Sequence, residues 1–205
     1  WAGLYIGDIS QPRGGPTRSD HRSHQIGLDA DIWMLPPQRL DLSRAQRESV
    51  SSVSVRTRDQ RGLTEYWTPQ HAQVLRAAAS DDRADRIFAA AAIKIELCRT
   101  ATPADTEWLQ RIRPLQGHNT HFHVRLRCPA GSPECQTQTP TVAELSNGGN
   151  GCDASLEWWV PDSLDPPRQT TPAPPPADPV PRRRHPRDYT LADLPEDCSR
   201  IAHSQ

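Results

Sequence analysis

Lysine is almost missing from this sequence: of 24 basic residues only Lys94 is not arginine, and the 205-residue chain has a formal net charge of −1. That near-balance excludes the broad basic field that holds proteins to nucleic acid regardless of sequence. No apolar run approaches the roughly 20 residues that a membrane-spanning helix needs. A basic segment followed by an apolar one, the mark of a leader, is also missing. Trp1-Ala-Gly-Leu-Tyr-Ile-Gly7 reads instead as a buried strand, which predicts a further portion upstream of Trp1, removed or left out. The five cysteines show no paired Cys-x-x-Cys spacing, so a zinc ribbon is excluded. No serine sits in a Gly-x-Ser-x-Gly turn, which argues against a serine nucleophile even though Ser23 neighbours His24. Hydrophobic residues make up 35%, too few for a core along the whole length.

What is present divides the chain in two. Residues 1–160 carry the ordered signals, whereas 161–187 hold a series of prolines and almost nothing to bury, as expected of an extended linker. Residues 161–205 therefore read as a Pro-rich tail, with Leu191, Leu194 and Cys198 positioned to dock back on the body. Six residues rich in Pro and Gly separate Cys128 from Cys135, a loop that a disulfide can close, and Cys98–Cys152 is the natural second bridge. Two bridges place the chain in an oxidising compartment and leave Cys198 unpaired.

Strands are expected over 1–8, 26–33, 86–90 and 121–127, and helices over 92–98 and 106–112. Thr68-Pro69 supplies an N-cap and a first-turn proline for a helix running to Ala79. The mixture predicts an α+β fold, an antiparallel sheet with flanking helices.

Five of the eight histidines fall into two short clusters, His21 and His24, then His118, His121 and His123. In a strand His121 and His123 share one face and Phe122 takes the other, so one imidazole can bind metal while its neighbour meets substrate. After His24, Gly27 permits a turn, and Asp29 and Asp31 then lie on one face of the next strand. Two histidines and a carboxylate form a three-ligand zinc site with a fourth position for water, the arrangement of a catalytic zinc, here set on the sheet. His118, after Gly117, is able to bind a second metal, to orient His121 or to stay exposed. Asp29 reads as a supporting carboxylate and His71, in the first turn of a helix, as solvent-facing. His185 and His203, in the tail, are assigned no catalytic part.

Three segments then identify a resemblance: Gly7-Asp-Ile-Ser-Gln-Pro-Arg-Gly-Gly-Pro16, Ser23-His-Gln-Ile-Gly-Leu-Asp-Ala-Asp-Ile-Trp33 and His121-Phe-His-Val-Arg-Leu-Arg-Cys-Pro129. Over residues 1–160 the chain resembles the penicillin-insensitive murein endopeptidases, within the wider group of lysostaphin-type and D-Ala-D-Ala peptidases and hedgehog-like domains. The resemblance implies Zn2+ held by His24, Asp31 and His123, with His121 as general base or transition-state stabiliser and His118 as a second active-site histidine. It also implies that His21 lies near the metal, as a ligand of a second ion or in support of the first. The implied substrate is the cross-linked peptide of peptidoglycan, cut between D-alanine and meso-diaminopimelate in the periplasm. Arg13, Arg22, Arg125 and Arg127, close to the motifs, are candidates to meet its carboxylates. The family carries an N-terminal portion ahead of the equivalent of Trp1, with a cysteine that would pair Cys198. Two other readings stay open, a non-catalytic murein-binding scaffold that keeps the zinc fold and a zinc peptidase acting on another murein bond. The sequence leaves monomer and homodimer equally open.

Overall fold

The computed structural model describes residues 1–17, 21, 23–160 and 190–203. Its architecture is α+β, a five-stranded sheet in the order β1-β2-β5-β3-β4 with helices packed on one side. The central pair is β2 (Asp29–Trp33) and β5 (His121–Leu126), antiparallel, with Asp31 opposite His123 and Asp29 opposite Arg125. β3 (Ala84–Ala89) continues the sheet antiparallel to β5, placing Phe88 opposite His123.

The expected antiparallel sheet has one parallel pair, β3 with β4 (Ile112–Pro114). A parallel pair needs a crossover, and here α3 (Ala91–Arg99) and α4 (Thr106–Arg111) supply it. The predicted helix over 106–112 ends one residue early because Ile112 already belongs to β4. At the other edge, β1 (Ile6–Ile9) is shorter than the strand read over 1–8 and is not buried: Ile6 is 54% exposed. β2 likewise begins at Asp29 rather than Ile26.

Alternation along the central strands gives the sheet two unlike faces. Ile32, Phe122 and Ile87 point into the core against Leu75 and Ala79 of α2 (Pro69–Ser80), Ile93 and Leu97 of α3, and Leu109 of α4. Asp29, Asp31, His121, His123 and Arg125 line the opposite face.

The start of α2 is as predicted, with Pro69 in the first turn and His71, Leu75 and Ala79 buried at helical spacing. The expectation for His71 is overturned: it is 1% exposed. Its Nε2 donates to the Met34 carbonyl at 2.8 Å, its Nδ1 accepts from the Thr68 N–H at 3.0 Å, and its ring stacks on Trp67. A histidine thus fills the return half of a capping box that Glu or Gln usually fills, and one tautomer satisfies both contacts.

Both expected disulfides are present, Cys98–Cys152 and Cys128–Cys135, each with Cα atoms 5.6 Å apart, and Cys198 is free. The Pro-rich segment and His185 lie outside the described residues. Two further α-helices are Arg44–Ser49 (α1) and Val142–Leu145 (α5). The last one described, α6 (Glu196–His203), presents the carbonyls of Ile201 and Ala202 to Arg13. His203 Nδ1 donates to the Ser199 carbonyl within that helix.

Candidate metal centre

The strand register does most of the assembly. Because Asp31 and His123 are cross-strand partners, their side chains stand together on the polar face, and His123 Nδ1 lies 3.1 Å from Asp31 Oδ1. His24 reaches the same oxygen from the loop before β2, its Nε2 3.2 Å away. That loop is held in an unusual shape. His24 has a left-handed backbone (φ 61) and its N–H donates to Asp29 Oδ2 at 3.2 Å. The segment before it is stitched alongside: the Gly15 N–H bonds the Gln25 carbonyl at 2.8 Å. A Cβ on Gly14 would sit 2.6 Å from that carbonyl oxygen, which explains the glycine in this motif.

The other oxygen of Asp31 faces a second pair of histidines. His21 Nε2 and His121 Nε2 are each 3.6 Å from Asp31 Oδ2. His21 also contacts Asp8 of β1 at 2.9 Å. The ligand-type atoms of His21, His24 and Asp31 lie within 4.8 Å of one another. His118 stands behind His121, ring centroids 5.0 Å apart, and its Nδ1 donates to the Gln116 carbonyl at 2.7 Å. All five clustered histidines therefore surround one carboxylate, and Asp8 is a member that the sequence reading missed.

Asp29 supports the group from below. It accepts from His123 Nε2 at 2.7 Å and from Arg125 through two parallel bonds of 2.8 and 2.7 Å. With Nε2 carrying the proton, the Nδ1 of His123 is left as the lone-pair nitrogen facing Asp31. Among the arginines expected near substrate, Arg125 is thus committed to Asp29, Arg127 bonds the Ala84 carbonyl, and Arg13 bonds α6. Arg22 lies outside the described residues.

The electrostatics favour neutral imidazoles at His24, His118 and His121 and act the other way at His123. Burial lowers the pKa of His24 and of His121, in each case against the pull of Asp31, and takes His118 down to about 4. In His123 burial also opposes charge, but the hydrogen bond to Asp29 and the nearness of Asp31 outweigh it and raise its pKa. Burial disfavours the Asp29 carboxylate too, yet bonds from His123 and Arg125 hold its pKa well below the usual carboxylate range.

A cation fits this arrangement. His24 Nδ1 and Nε2, Asp31 Oδ1 and His121 Nε2 are buried without a hydrogen-bond partner. Each such orphan costs about 1–3 kcal/mol in a folded protein. His24 Nε2, His123 Nδ1 and Asp31 Oδ1 converge within 3.2 Å contacts, and a His/His/Asp donor set is the kind that binds zinc.

The family described as penicillin-insensitive murein endopeptidase matches residues 1–203. A penicillin-insensitive murein endopeptidase of Haemophilus influenzae is 40% identical over 176 residues, 83% of this chain and 59% of the relative. Proteins of that name from Klebsiella pneumoniae (39% identical, 85% of this chain, 63% of the relative) and Yersinia enterocolitica (44%, 76% and 54%) are similar to it as well. The chain spans about three fifths of the length of these relatives.

Proposed function

The chain belongs to the penicillin-insensitive murein endopeptidase family, and on that premise we propose that it is a zinc peptidase that hydrolyses D-alanyl-meso-diaminopimelyl cross-bridges of peptidoglycan in the periplasm. His24, Asp31 and His123 hold the metal. The observation that carries this reading is the meeting of two imidazole nitrogens on one buried carboxylate oxygen, at 3.2 and 3.1 Å. Orphaned buried donors in a domain otherwise well bonded make sense as ligands. Bound there, zinc supplies a Lewis acid for the scissile carbonyl and brings the pKa of water toward neutrality.

The chain's own groups do the rest. His121 Nε2 is buried, has no hydrogen-bond partner and has a lowered pKa, so it is free to take a proton from the attacking water and return it to the departing amine. His118, its Nδ1–H fixed on the Gln116 carbonyl, stays neutral and packs beside His121. Asp29 and Arg125 hold His123 in the tautomer that presents Nδ1. His21, bridging Asp8 and Asp31, steadies the far oxygen of the shared carboxylate.

The test is incubation of the purified chain with cross-linked muropeptide dimers, with and without a chelator, alongside a zinc assay. Expected are stoichiometric zinc and chelator-sensitive conversion to monomers, with product masses placing the cut between D-alanine and diaminopimelate. Zinc-replete chain that leaves every dimer intact would turn the reading to a murein-binding scaffold. Cleavage at a different bond would keep the chemistry and change the substrate. A chain that holds no zinc would refute the ligand assignment.

A further inference from the structure

The loop that carries His24 also borders a groove outside the metal site. On its way to β2 the chain passes through Ile26 and Leu28, which line this groove opposite the loop closed by the Cys128–Cys135 bridge. Its volume is about 460 Å3, with Pro129 and Cys135 completing the apolar wall and Glu134 and Gln136 among the polar residues. Sites that take small ligands or single side chains usually measure about 300–1,000 Å3. Ile26 is 61% exposed, although it stands in the middle of the histidine and aspartate motif.

The groove adjoins the polar face of the sheet. Ile26, Leu28 and Gln136 also line a narrow gap beside Arg125, whose guanidinium bonds Asp29 beneath the metal site. Successive Cα atoms are about 3.8 Å apart, so the Cα of Ile26 lies within about 8 Å of that of His24, a span that two residues of a bound peptide cover. Two charges flank the bridge, Arg127 just before Cys128 and Glu134 just before Cys135. Glu134 is exposed and forms no hydrogen bond or ion pair among the described residues. Arg127 lines the adjoining gap, where its Nε gives one long bond of 3.3 Å to the Ala84 carbonyl and its terminal nitrogens have no partner among the described residues. Asp85, in the same gap, is already paired with Arg86 at 2.7 Å.

We propose that the groove is a subsite for the diaminopimelate that precedes the D-alanine of the scissile bond, with its methylenes against Ile26 and Leu28 and its free ammonium on Glu134. The inference rests on the murein reading above and names the residue that this part of the surface recognises. In a cross-linked dimer one diaminopimelate spends its side-chain amine in the scissile bond. The other keeps it, one residue before the cut, at the end of a short aliphatic chain and with a carboxylate on the same carbon. Apolar walls beside an open carboxylate match the chain and its ammonium. Arg127 matches the remaining carboxylate, since a guanidinium can give two parallel bonds to such a group.

Two measurements on the zinc-loaded chain test it. In the first, a muropeptide dimer is compared with the same dimer acetylated at its one free side-chain amine, which leaves the scissile bond untouched. The parent should favour the free amine by about 3- to 10-fold in kcat/KM, the lower range for a charge-assisted contact because Glu134 is exposed. Glu134→Gln should lose that preference mainly through KM, and Glu134→Asp should regain part of it. In the second, the muramoyl tetrapeptide left by cleavage and its acetylated form are titrated while the Ile26 and Leu28 methyl signals are followed by NMR. Saturable shifts are expected with the free amine, weakened in Glu134→Gln. Equal turnover of the two dimers, equal shifts with the acetylated peptide, equal shifts in Glu134→Gln, or none in the parent would each overturn the subsite. If the parent cuts no dimer at all the murein reading fails, while the titration still decides whether the groove holds the amine-bearing chain.

Discussion

Replacing Asp29 by asparagine isolates the role of the carboxylate beneath the metal site. The side chain keeps its shape but loses its charge, and an amide can serve only one of its two strong partners well. In the parent, Asp29 accepts from His123 Nε2 at 2.7 Å and from both arms of Arg125, and its side chain is 0% exposed. Removal of a group that orients a metal-bound histidine costs about 10- to 100-fold in metal affinity, or about 1.4–2.8 kcal/mol. Breaking a buried ion pair from one side costs about 3–5 kcal/mol of stability, and the partial exposure of Arg125 places this case toward the lower end. Competition for zinc against a chromophoric chelator measures the first quantity, and urea unfolding of the metal-free chain the second. The pH dependence has a definite sign. A carboxyl held below its ordinary value of 3.8 contributes stability that is fully present above that pH and is lost as the pH falls further. The acid limb of the unfolding profile should therefore flatten in Asp29→Asn. A folded Asp29→Asn chain whose zinc affinity stays within about twofold of the parent, far below the expected loss, would refute the idea that Asp29 sets the tautomer of His123.

His121→Ala should retain zinc and lose about 10²- to 10⁴-fold in kcat, the usual share of general acid–base catalysis, as read by dimer cleavage beside a metal assay. His71→Ala removes a buried bond to Met34 and half of a helix cap, so unfolding should show a loss of about 2–4 kcal/mol with zinc content unchanged. Lys94 is buried, donates to the carbonyls of Leu109 and Asn150, and has its pKa lowered to about 7 by burial and the nearby Arg113. The unfolded chain binds the extra proton between that value and 10.5, so stability should rise with pH across the lower part of this window. Urea midpoints at pH 7 and 8.5 should show the slope in the parent and its loss in Lys94→Met.

Much of the site was legible because strand periodicity is short-ranged. His121 and His123 on one face, Asp29 and Asp31 on one face, and a turn at Gly27 all follow from local spacing. The clamp of Arg125 on Asp29 was not legible, since it depends on the register of β2 against β5, residues 96 apart in sequence. His71 misled for a related reason: a first-turn position is usually wet, but here the carbonyl of Met34, 37 residues earlier, comes to meet its ring. β4 has three residues, too few to show a period, and the pattern before it reads as helix to the last position. Asp8 gave no local signal, because its partner His21 approaches from another part of the chain. Family motifs supplied the proposed ligand set, which spacing alone had left open.

His24 combines a left-handed backbone, complete burial and two ring nitrogens without partners. In landscape terms it is a point of local frustration in an otherwise consistent fold. A selection for thermal stability run in the presence of chelator would act against it first. Asparagine or glycine at this position accepts the backbone more readily and leaves no imidazole to desolvate. Such variants would melt higher without metal and lose their zinc, a trade between robustness and chemistry concentrated in one residue.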